Sequence, residues 1–287
     1  MIVVSKIKQL KQIVNDHRAK GLTIGFVPTM GYLHEGHLSL ISRARQENDV
    51  VIASIFVNPL QFGENEDYHQ YPRNLSNDQL LAKNHGVDLL FVPTVKEMYP
   101  KPMKSTIVVH EGVDVLCGES RPGHFDGVAT VVMKLFQLTK ANKAYFGMKD
   151  AQQVAIIENM VQDFHIDVEI IRCQTIREND GLAKSSRNVN LTDDERAEAP
   201  FIYECLQIAK KMIIEGTDPI EVLTETKDQL YSRFSGKVDY VEVRTFPDLH
   251  KEIETDTDVI IAIAVKYSHV RLIDNVVIEA KERLKRS

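Results

Sequence analysis

The sequence predicts an α/β protein: a mostly parallel sheet domain followed by a second, smaller α+β domain. In the first part of the chain, short apolar runs alternate with amphipathic helical patterns, which is typical of a parallel sheet covered by helices on both faces. From about Asn190, two long helical patterns precede three strand-like runs, which indicates a separate α+β domain. The predicted domains are residues 1–176 and 177–287.

The predicted elements follow in order along the chain. After an amphipathic first helix, strands are predicted where apolar residues run together, at residues 22–27, 50–57, 87–92, 144–146 and 168–176. The helical patterns between several of these runs cover residues 37–47, 77–84, 127–138 and 151–164. In the second domain, helices are predicted at 193–215 and 219–234, and strands at 238–244, 259–265 and 270–273.

Composition excludes several classes of protein. The 287 residues include 43% hydrophobic ones, enough to bury substantial cores, and the formal net charge of −6 argues against a protein that mainly binds nucleic acid. The three cysteines are widely spaced without a CxxC motif, which disfavours a disulfide framework or a zinc cluster and suits a reducing compartment. No apolar stretch approaches the roughly 20 residues that span a bilayer. We expect a cytoplasmic protein without membrane insertion.

The segment PTMGYLHEGHLSLI, residues 28–41, joins a predicted strand to a predicted helix. His34 and His37 are three residues apart and share a face if the helix begins here, while Gly36 lets a ligand approach the backbone. A helix N-terminus offers unpaired N–H donors and about half a positive charge, and imidazoles can donate to phosphate oxygens. The segment therefore predicts a phosphate cradle suited to a triphosphate.

Two other interpretations of HEGH stay open at this point. His34 and His37 could bind a metal ion, although HEGH is shorter than HExxH and no third ligand is apparent nearby. The two histidines could also merely cap the turn, which these four residues indicate about as strongly as phosphate binding.

Two further segments could contact phosphates. The loop KSSR, residues 184–187, combines two cations and two hydroxyls. The segment GMKD, residues 147–150, lies between a predicted strand and a predicted helix, where Lys149 could meet an α- or β-phosphate. A solvated loop and a surface lysine are the alternatives. Three such segments, each after a predicted strand, together favour a nucleotide site because α/β sheets bind ligands beyond the carboxyl ends of their strands.

Together these segments resemble the nucleotidylyltransferase superfamily, whose HxGH element and later serine-containing basic loop are the HIGH and KMSKS signatures of class I aminoacyl-tRNA synthetases. The motifs PTMGYLHEGHLSLI, FVNPLQFGENEDYHQYPR, YFGMKDAQQ and DGLAKSSRN resemble, in order and spacing, those of the pantothenate synthetase (pantoate–β-alanine ligase) family. This resemblance extends over essentially the whole chain. It implies a Rossmann-like domain that binds nucleotide and pantoate, and a smaller C-terminal domain that covers the active site.

The resemblance also implies a reaction. Such an enzyme joins (R)-pantoate and β-alanine with ATP through pantoyl adenylate, and it releases AMP and pyrophosphate. The chain shows no Ser-His-Asp signature and no candidate for a covalent intermediate, as expected if the carboxylate of pantoate is the nucleophile. Two alternatives stay open: another adenylyl-transferring enzyme of the superfamily, or a non-enzymatic nucleotide sensor.

Site residues follow from the resemblance position by position. The catalytic residues are expected to be His37, His34, Lys149 and Arg187. The residues expected to bind ATP are Met30, Gly31, Tyr32, Leu33, His34, Glu35, Gly36, His37, Gly147, Met148, Lys149, Asp150, Ile176, Lys184, Ser185, Ser186 and Arg187. Gln61 and Gln153 match the family's pantoate contacts, and Gln61 also serves β-alanine. Further contacts are expected at Asn58, Tyr71, Arg73, Arg121 and His124.

The resemblance extends to a metal ion and an assembly. Mg²⁺ is expected with ATP, held largely by phosphates and water, and the sequence fixes no protein ligand, with Asp78 and Asp150 only as guesses. A homodimer is a further implication of the family.

Two positions depart from the family pattern. Met148 stands where glutamate is usual, and Lys184 stands where methionine is frequent. Each departure adds one positive unit relative to that pattern, which predicts a more positive ATP site. The alternative is that Lys184 points into solvent and Met148 packs on a neighbour.

Overall fold

The computed structural model describes residues 1–64, 66 and 68–284, which form two compact units. The first unit comprises Met1–Val113, Gly118–Gly147 and Ile156–Gln174. The second unit comprises Asp114–Cys117, Met148–Ala155 and Thr175–Ser287. Two short segments before residue 176 therefore belong to the second unit, and the division into functional domains at that residue stays a prediction.

A six-stranded sheet forms the centre of the first unit. Its strands are β1 (Ile2–Val4), β2 (Ile24–Thr29), β3 (Val50–Ile55), β4 (Leu89–Phe91), β5 (Lys143–Gly147) and β6 (Glu169–Cys173). They lie in the order β1-β4-β3-β2-β5-β6, and all of these pairings are parallel. The predicted parallel sheet is confirmed. Strand β1 was not predicted because three residues give no usable period.

The strand order has a consequence for ligand binding. From β2, the chain adds β3 and β4 on one side and then returns to add β5 and β6 on the other. The carboxyl ends of β2 and β5 therefore flank the topological switch point, which is where open α/β sheets of the Rossmann type bind their ligands.

Helices connect these strands. They are α1 (Ile7–Ala19), α2 (Glu35–Glu47), α3 (Leu75–Asn84), α4 (Val95–Met98), α5 (Cys117–Ser120), α6 (His124–Thr139) and α7 (Ala151–Asp163). The apolar face of α2, with Leu40, Ile41 and Ala44, packs into a core with Val51 of β3 and Leu90 of β4. Among the described residues, no helix has the length and apolar character needed to cross a membrane.

The second unit is built on an antiparallel sheet in the order β7-β8-β9. Its elements are α8 (Asp193–Glu198), α9 (Phe201–Ile214), α10 (Pro219–Arg233), β7 (Lys237–Phe246), β8 (Asp258–Lys266), β9 (Arg271–Ile278) and α11 (Ala280–Leu284). The predicted α+β character is confirmed. The single helix predicted at 193–215 is wrong: it breaks before α9 at Pro200, which has no N–H and whose ring clashes with the preceding turn.

Candidate active site

The segment with the two histidines joins the carboxyl end of β2 to α2. Strand β2 ends at Thr29, and α2 begins at Glu35 with His34 as its N-cap. The predicted position of this segment between a strand and a helix is confirmed, and the helix begins two residues earlier than its apolar pattern because Glu35 and Gly36 are polar or small.

The turn between β2 and α2 is held by Asp78, which lies on α3. Asp78 is 1% exposed, and its carboxylate accepts the backbone N–H of Tyr32 at 2.9 Å and of Leu33 at 2.7 Å. The turn needs this support because Gly31 and Tyr32 both have positive φ, of +87° and +54°. A Cβ atom at position 31 would lie 2.9 Å from the Ile55 side chain, so glycine is required there. Both carboxylate oxygens thus serve the turn, which argues against the guess that Asp78 binds Mg²⁺.

His34 and His37 lie together at the first turn of α2, with ring centroids 4.1 Å apart. The Nδ1 atom of His34 accepts the N–H of Gly36 at 3.1 Å, and Nδ1 of His37 accepts the N–H of His34 at 3.3 Å. A neutral imidazole that accepts at Nδ1 carries its proton on Nε2. Each ring therefore caps the helix with one nitrogen and has an N–H donor on the other. Capping and phosphate binding, two of the three interpretations left open by the sequence, are compatible.

Gln61 lies in the short 3₁₀ turn Pro59–Gln61 beyond β3 and is 8% exposed. Its Oε1 accepts a hydrogen bond from Asn58 Nδ2 at 3.2 Å, and its Nε2 lies 3.6 Å from the sulfur of Met30. The structure therefore brings the expected pantoate contact next to the first residue of the expected ATP segment. Because Oε1 is held by Asn58, the donating end of the amide is directed to the Met30 side, which suits a carboxylate ligand.

Arg121 and His124 support the Gln61 turn. His124 Nδ1 donates to the Gln61 carbonyl at 2.7 Å, and Arg121 lies 3.0 Å from His124 Nε2 and 2.5 Å from Glu66. Burial alone would raise the pKa of Glu66, but the hydrogen bond and charge of Arg121 outweigh it and lower that pKa. These contacts give Arg121 and His124 a positioning role, and their direct contact with substrate stays a prediction.

The other further contacts shape neighbouring backbone. Asn58 Nδ2 also donates to the Gly127 carbonyl at 3.1 Å. Arg73 donates to the carbonyl of Tyr71 at 3.0 Å and stabilises the loop after Gln61. Tyr71 is 5% exposed, so its ring is part of the packing of this loop.

In the second unit, the loop 184–187 follows a closed turn. Arg177 and Ala183 form an antiparallel bridge, and Lys184 donates its N–H to the Ile176 carbonyl at 2.9 Å. Gly181 permits the reversal with φ of +95°. Ile176, which was predicted as the end of a strand, lies instead in this turn, because β6 already ends at Cys173.

The KSSR residues themselves differ in exposure. Ser186 is 8% exposed, whereas Lys184, Ser185 and Arg187 are half-buried. Ser185 Oγ accepts the N–H of Arg187 at 3.3 Å, which shapes the loop locally. The expectation that Lys184 simply points into solvent is therefore not supported by its burial.

The GMKD segment is a 3₁₀ turn, Met148–Asp150, between β5 and α7. Lys149 Nζ lies 3.8 Å from the Asp150 carboxylate, and its side chain is 20% exposed. Met148 packs on an apolar cluster that includes Ala151 and Phe246, as the alternative interpretation of that position predicted. Asp150 is exposed.

The two glutamines of the DAQQ motif have different environments at the start of α7. Gln152 is 6% exposed, accepts the N–H of Cys117 at 2.9 Å and donates to the Val115 carbonyl at 2.8 Å. Gln153 is half-buried and makes no side-chain hydrogen bond within the described part of the chain. Its amide can therefore serve a ligand, whereas Gln152 has a structural role that the sequence did not reveal.

The metal interpretation of HEGH lacks support from the surrounding side chains. Within residues 1–64, 66 and 68–284, no group of three or more His, Cys, Asp or Glu side chains could hold a metal ion. Because Nδ1 of His34 and Nδ1 of His37 both accept backbone N–H groups, a metal ion could be bound only through Nε2 of each ring. That gives at most two imidazole ligands, fewer than the three or four protein ligands of typical zinc sites.

Comparison with known proteins decides the family. The model of the family described as pantoate-beta-alanine ligase matches residues 2–277. The chain belongs to this family. It is therefore an enzyme that joins pantoate and β-alanine with ATP, as the sequence predicted.

Relatives match over nearly their whole length. The pantothenate synthetase of Geobacillus sp. (strain WCH70) is 51% identical over 280 residues, which cover 97% of this chain and 99% of the relative. That of Bacillus subtilis (strain 168) is also 51% identical over 280 residues, with 97% and 98% covered.

Solved structures of the family agree with the fold. A pantothenate synthetase from Thermus thermophilus is 42% identical with a TM-score of 0.88, over 96% of this chain and 99% of that one. The pantoate-beta-alanine ligase of Francisella tularensis, complexed with beta-gamma ATP and β-alanine, is 41% identical with a TM-score of 0.78, over 96% and 97%.

Proposed function

We propose that the chain performs the ligation in two steps through pantoyl adenylate. The carboxylate of (R)-pantoate attacks the α-phosphorus of ATP, a mixed anhydride forms and pyrophosphate leaves. The amine of β-alanine then attacks the acyl carbon, loses a proton, and displaces AMP, which keeps the attacking carboxylate oxygen. The substrates supply the nucleophiles, so no covalent enzyme intermediate is needed.

The observation that carries this proposal is the orientation of the two histidines. Because Nδ1 of His34 and His37 accepts backbone N–H groups, both rings have Nε2–H donors that are fixed before any ligand binds. Such donors stabilise negative charge that develops on the α-phosphoryl group and on departing pyrophosphate. We assign His37 and His34 to this role.

The same charge argument assigns roles in the second unit. Lys149 and Arg187 supply positive charge for the phosphates, and Ser185 and Ser186 supply hydroxyl donors. The remaining expected ATP positions, at 30–36, 147, 148, 150, 176 and 184, complete the proposed nucleotide contacts. These assignments rest on the resemblance and on the chemistry of the side chains.

Two amides are proposed to recognise pantoate. Gln61 Nε2 can donate to the pantoate carboxylate, because its Oε1 is held by Asn58. Gln153 can donate to or accept from the pantoate hydroxyls, because its amide has no other partner among the described residues. Gln61 would contact the β-alanine carboxylate in the second step.

Mg²⁺ is proposed to enter with ATP. No described cluster of carboxylates competes for the ion, and phosphate oxygens with water satisfy its preference for octahedral oxygen ligands. When bound, Mg²⁺ would neutralise part of the charge on the phosphates.

A homodimer in the cytoplasm completes the proposal. The dimer is an implication of the sequence resemblance, and light scattering after size-exclusion chromatography tests it. Three free cysteines, Cys117, Cys173 and Cys205, all buried, are consistent with a reducing compartment.

A labelling experiment tests the two-step reaction. Pantoate carrying heavy oxygen in its carboxylate is incubated with ATP and β-alanine, and the AMP is analysed by mass spectrometry. We expect one labelled oxygen in each AMP, because that oxygen attacks the α-phosphorus and stays there. Unlabelled AMP would contradict pantoyl adenylate. Another adenylyl-transferring enzyme would release a stable adenylylated product, and a nucleotide sensor would show no turnover.

A further inference from the structure

Asp274 and Asn275 are consecutive residues on β9, an edge strand of the antiparallel sheet, and they are only 5% and 9% exposed. We propose that they are a pair of positioning residues for ATP. Asn275 holds the 3₁₀ turn Met148–Asp150, called here the Lys149 turn, and Asp274 binds Arg177, which belongs to the closed turn that precedes the loop 184–187. The inference rests on the proposed function, which assigns ATP phosphates to both segments.

Asn275 fixes the backbone of the Lys149 turn. Its Nδ2 donates to the carbonyl of Met148 at 2.9 Å and to the carbonyl of Lys149 at 2.9 Å. An amide nitrogen has two hydrogens, one for each carbonyl, whereas a carboxylate at the same position has none and would repel both. The position from which the Lys149 side chain extends is therefore set by β9.

Asp274 fixes the turn that leads into the KSSR loop. It accepts two hydrogen bonds from the Arg177 guanidinium, at 2.5 and 3.0 Å. The same guanidinium donates to the Gly181 carbonyl at 3.1 Å and lies 3.7 Å from the centre of the Tyr203 ring. Arg177 thus pairs with Ala183 through its backbone and holds Gly181, inside the closed turn that precedes Lys184, through its guanidinium. Asp274 determines where that guanidinium lies.

The two side chains also form one rigid pair. The backbone N–H of Asn275 donates to Asp274 Oδ1 at 2.8 Å, so the carboxylate that orients Arg177 is itself oriented by the strand. Successive side chains of a strand point in opposite directions, so one edge strand can hold two segments that are distant in sequence. The spacing of Lys149 from the loop 184–187 is then a property of β9.

Stability alone does not explain this arrangement. A buried ion pair gives little net stability relative to apolar residues of similar volume, because desolvation of both charges offsets their attraction. Here the buried pair connects to two segments that supply cations for the proposed nucleotide site, at Lys149 and Arg187. The buried ion pair can hold these cations in place before ATP binds, which apolar residues of similar volume could not do.

The test measures ATP KM in pantoate-dependent pyrophosphate exchange for Asn275→Asp and Asp274→Asn, alone and combined with Lys149→Ala or Arg187→Ala. We expect each single variant to raise ATP KM roughly tenfold or more, since small displacements of binding groups are costly. Asn275→Asp should raise ATP KM little further when Lys149→Ala is already present, but it should raise ATP KM by its full factor when combined with Arg187→Ala. Asp274→Asn should raise ATP KM little further beside Arg187→Ala, but by its full factor beside Lys149→Ala. The KM for β-alanine should not change in any of these variants.

Two matched controls make the same charge changes on exposed positions of the second unit. Gln207→Glu on α9 and Asp256→Asn should leave ATP KM unchanged. If circular dichroism shows that a β9 variant does not fold, Asn275→Ala or Asp274→Ser replaces it. Additive effects in all four combinations would overturn the proposal, because a merely structural defect does not depend on which cation is present.

Failure of the proposed function is distinguishable from failure of this inference. A wild-type chain without pantoate-dependent exchange would contradict the function. Direct calorimetric titration with ATP tests the positioning separately: unchanged ATP affinity in both folded β9 variants would overturn it, and a loss in both would support it.

Discussion

Several side chains of the proposed site use one atom for structure, and a different atom of the same side chain is the one proposed to contact a ligand. The imidazoles of His34 and His37 use Nδ1 to cap α2 and keep a proton on Nε2. Gln61 uses Oε1 for Asn58 and directs Nε2 toward the Met30 sulfur, and a second hydrogen on that nitrogen is proposed to serve a carboxylate ligand. Orientation is thus set by neighbours before substrate arrives, which is how preorganised donors contribute to catalysis.

His37→Asn tests this division at one residue. The Asn side chain can still accept a backbone N–H through Oδ1, but its NH₂ group lies closer to the backbone than Nε2 and places no donor where the imidazole does. We expect kcat to fall about 100-fold to 1,000-fold with a smaller change in pantoate KM, because the lost contact strengthens as phosphoryl charge develops. Steady-state kinetics measure this, with His269→Asn, an exposed position, as the control. Near-normal kcat would reassign His37 to the turn alone.

Sequence reasoning finds such residues when the signal is local. His34, Gly36 and His37 are singled out as candidates because a strand pattern ends before them and a helical pattern begins after them. Asp78 and Asn275 could not be assigned their roles in this way, because each acts on backbone distant in sequence. The sequence offered Asp78 only as a guess for a Mg²⁺ ligand, whereas the structure shows its carboxylate accepting two backbone N–H groups.

Among the elements, the connection from β2 to α2 depends on support from α3, because Asp78 accepts two of its backbone N–H groups. Asp78→Asn leaves one oxygen to accept two backbone N–H groups and turns an NH₂ group toward one of them. We expect the free energy of unfolding to fall by about 1–3 kcal/mol and ATP KM to rise, since a buried donor loses its acceptor. Urea denaturation and ATP kinetics measure both effects, with the exposed Asp16→Asn on α1 as control. Unchanged values in both would mean that Asp78 does not hold the turn.

Helix α8 provides a test that depends on pH. Hydrogen bonds from the Ser268 hydroxyl, and from the backbone N–H of Thr192 and Ser268, lower the pKa of Glu195 from 4.5 to about 2. Because the folded pKa is depressed, this stabilisation is present above pH 4.5 and is lost as pH falls toward 2. We expect Glu195→Gln to lower Tm most at neutral pH, and the difference from wild type to shrink below pH 4.5.

The control for this prediction is Glu252→Gln, at an exposed position without such hydrogen bonds. Its Tm should follow the wild-type curve at every pH. A Glu195→Gln deficit that stays constant between pH 7 and pH 3 would show that the carboxylate charge is not responsible.

The presence of an element was predictable where composition changes sharply, although its exact ends were not. Strands β2, β3 and β5 and helices α2, α6 and α7 were expected from their periods and are present. The break between α8 and α9 has a local cause in Pro200 that could have been recognised. The three residues of β1 could not, because their pairing with β4 is a long-range contact.

At the scale of the whole molecule, a chain with net charge −6 is proposed to bind a polyanion through a few local cations. Lys184→Met removes one of them and should raise ATP KM at low salt and flatten its salt dependence, because surface charges are screened within a Debye length of roughly 8 Å at physiological ionic strength. ATP kinetics over a salt series measure this, with Lys251→Met as an exposed control. Curves that coincide with wild type would mean that the Lys184 charge never reaches the phosphates.

Formation of pantoyl adenylate without β-alanine is the central claim, and exchange of labelled pyrophosphate into ATP tests it most directly. We predict that exchange requires pantoate, proceeds in the complete absence of β-alanine and is strongly reduced in His37→Asn. Exchange that appears only when β-alanine is added would contradict the two-step account.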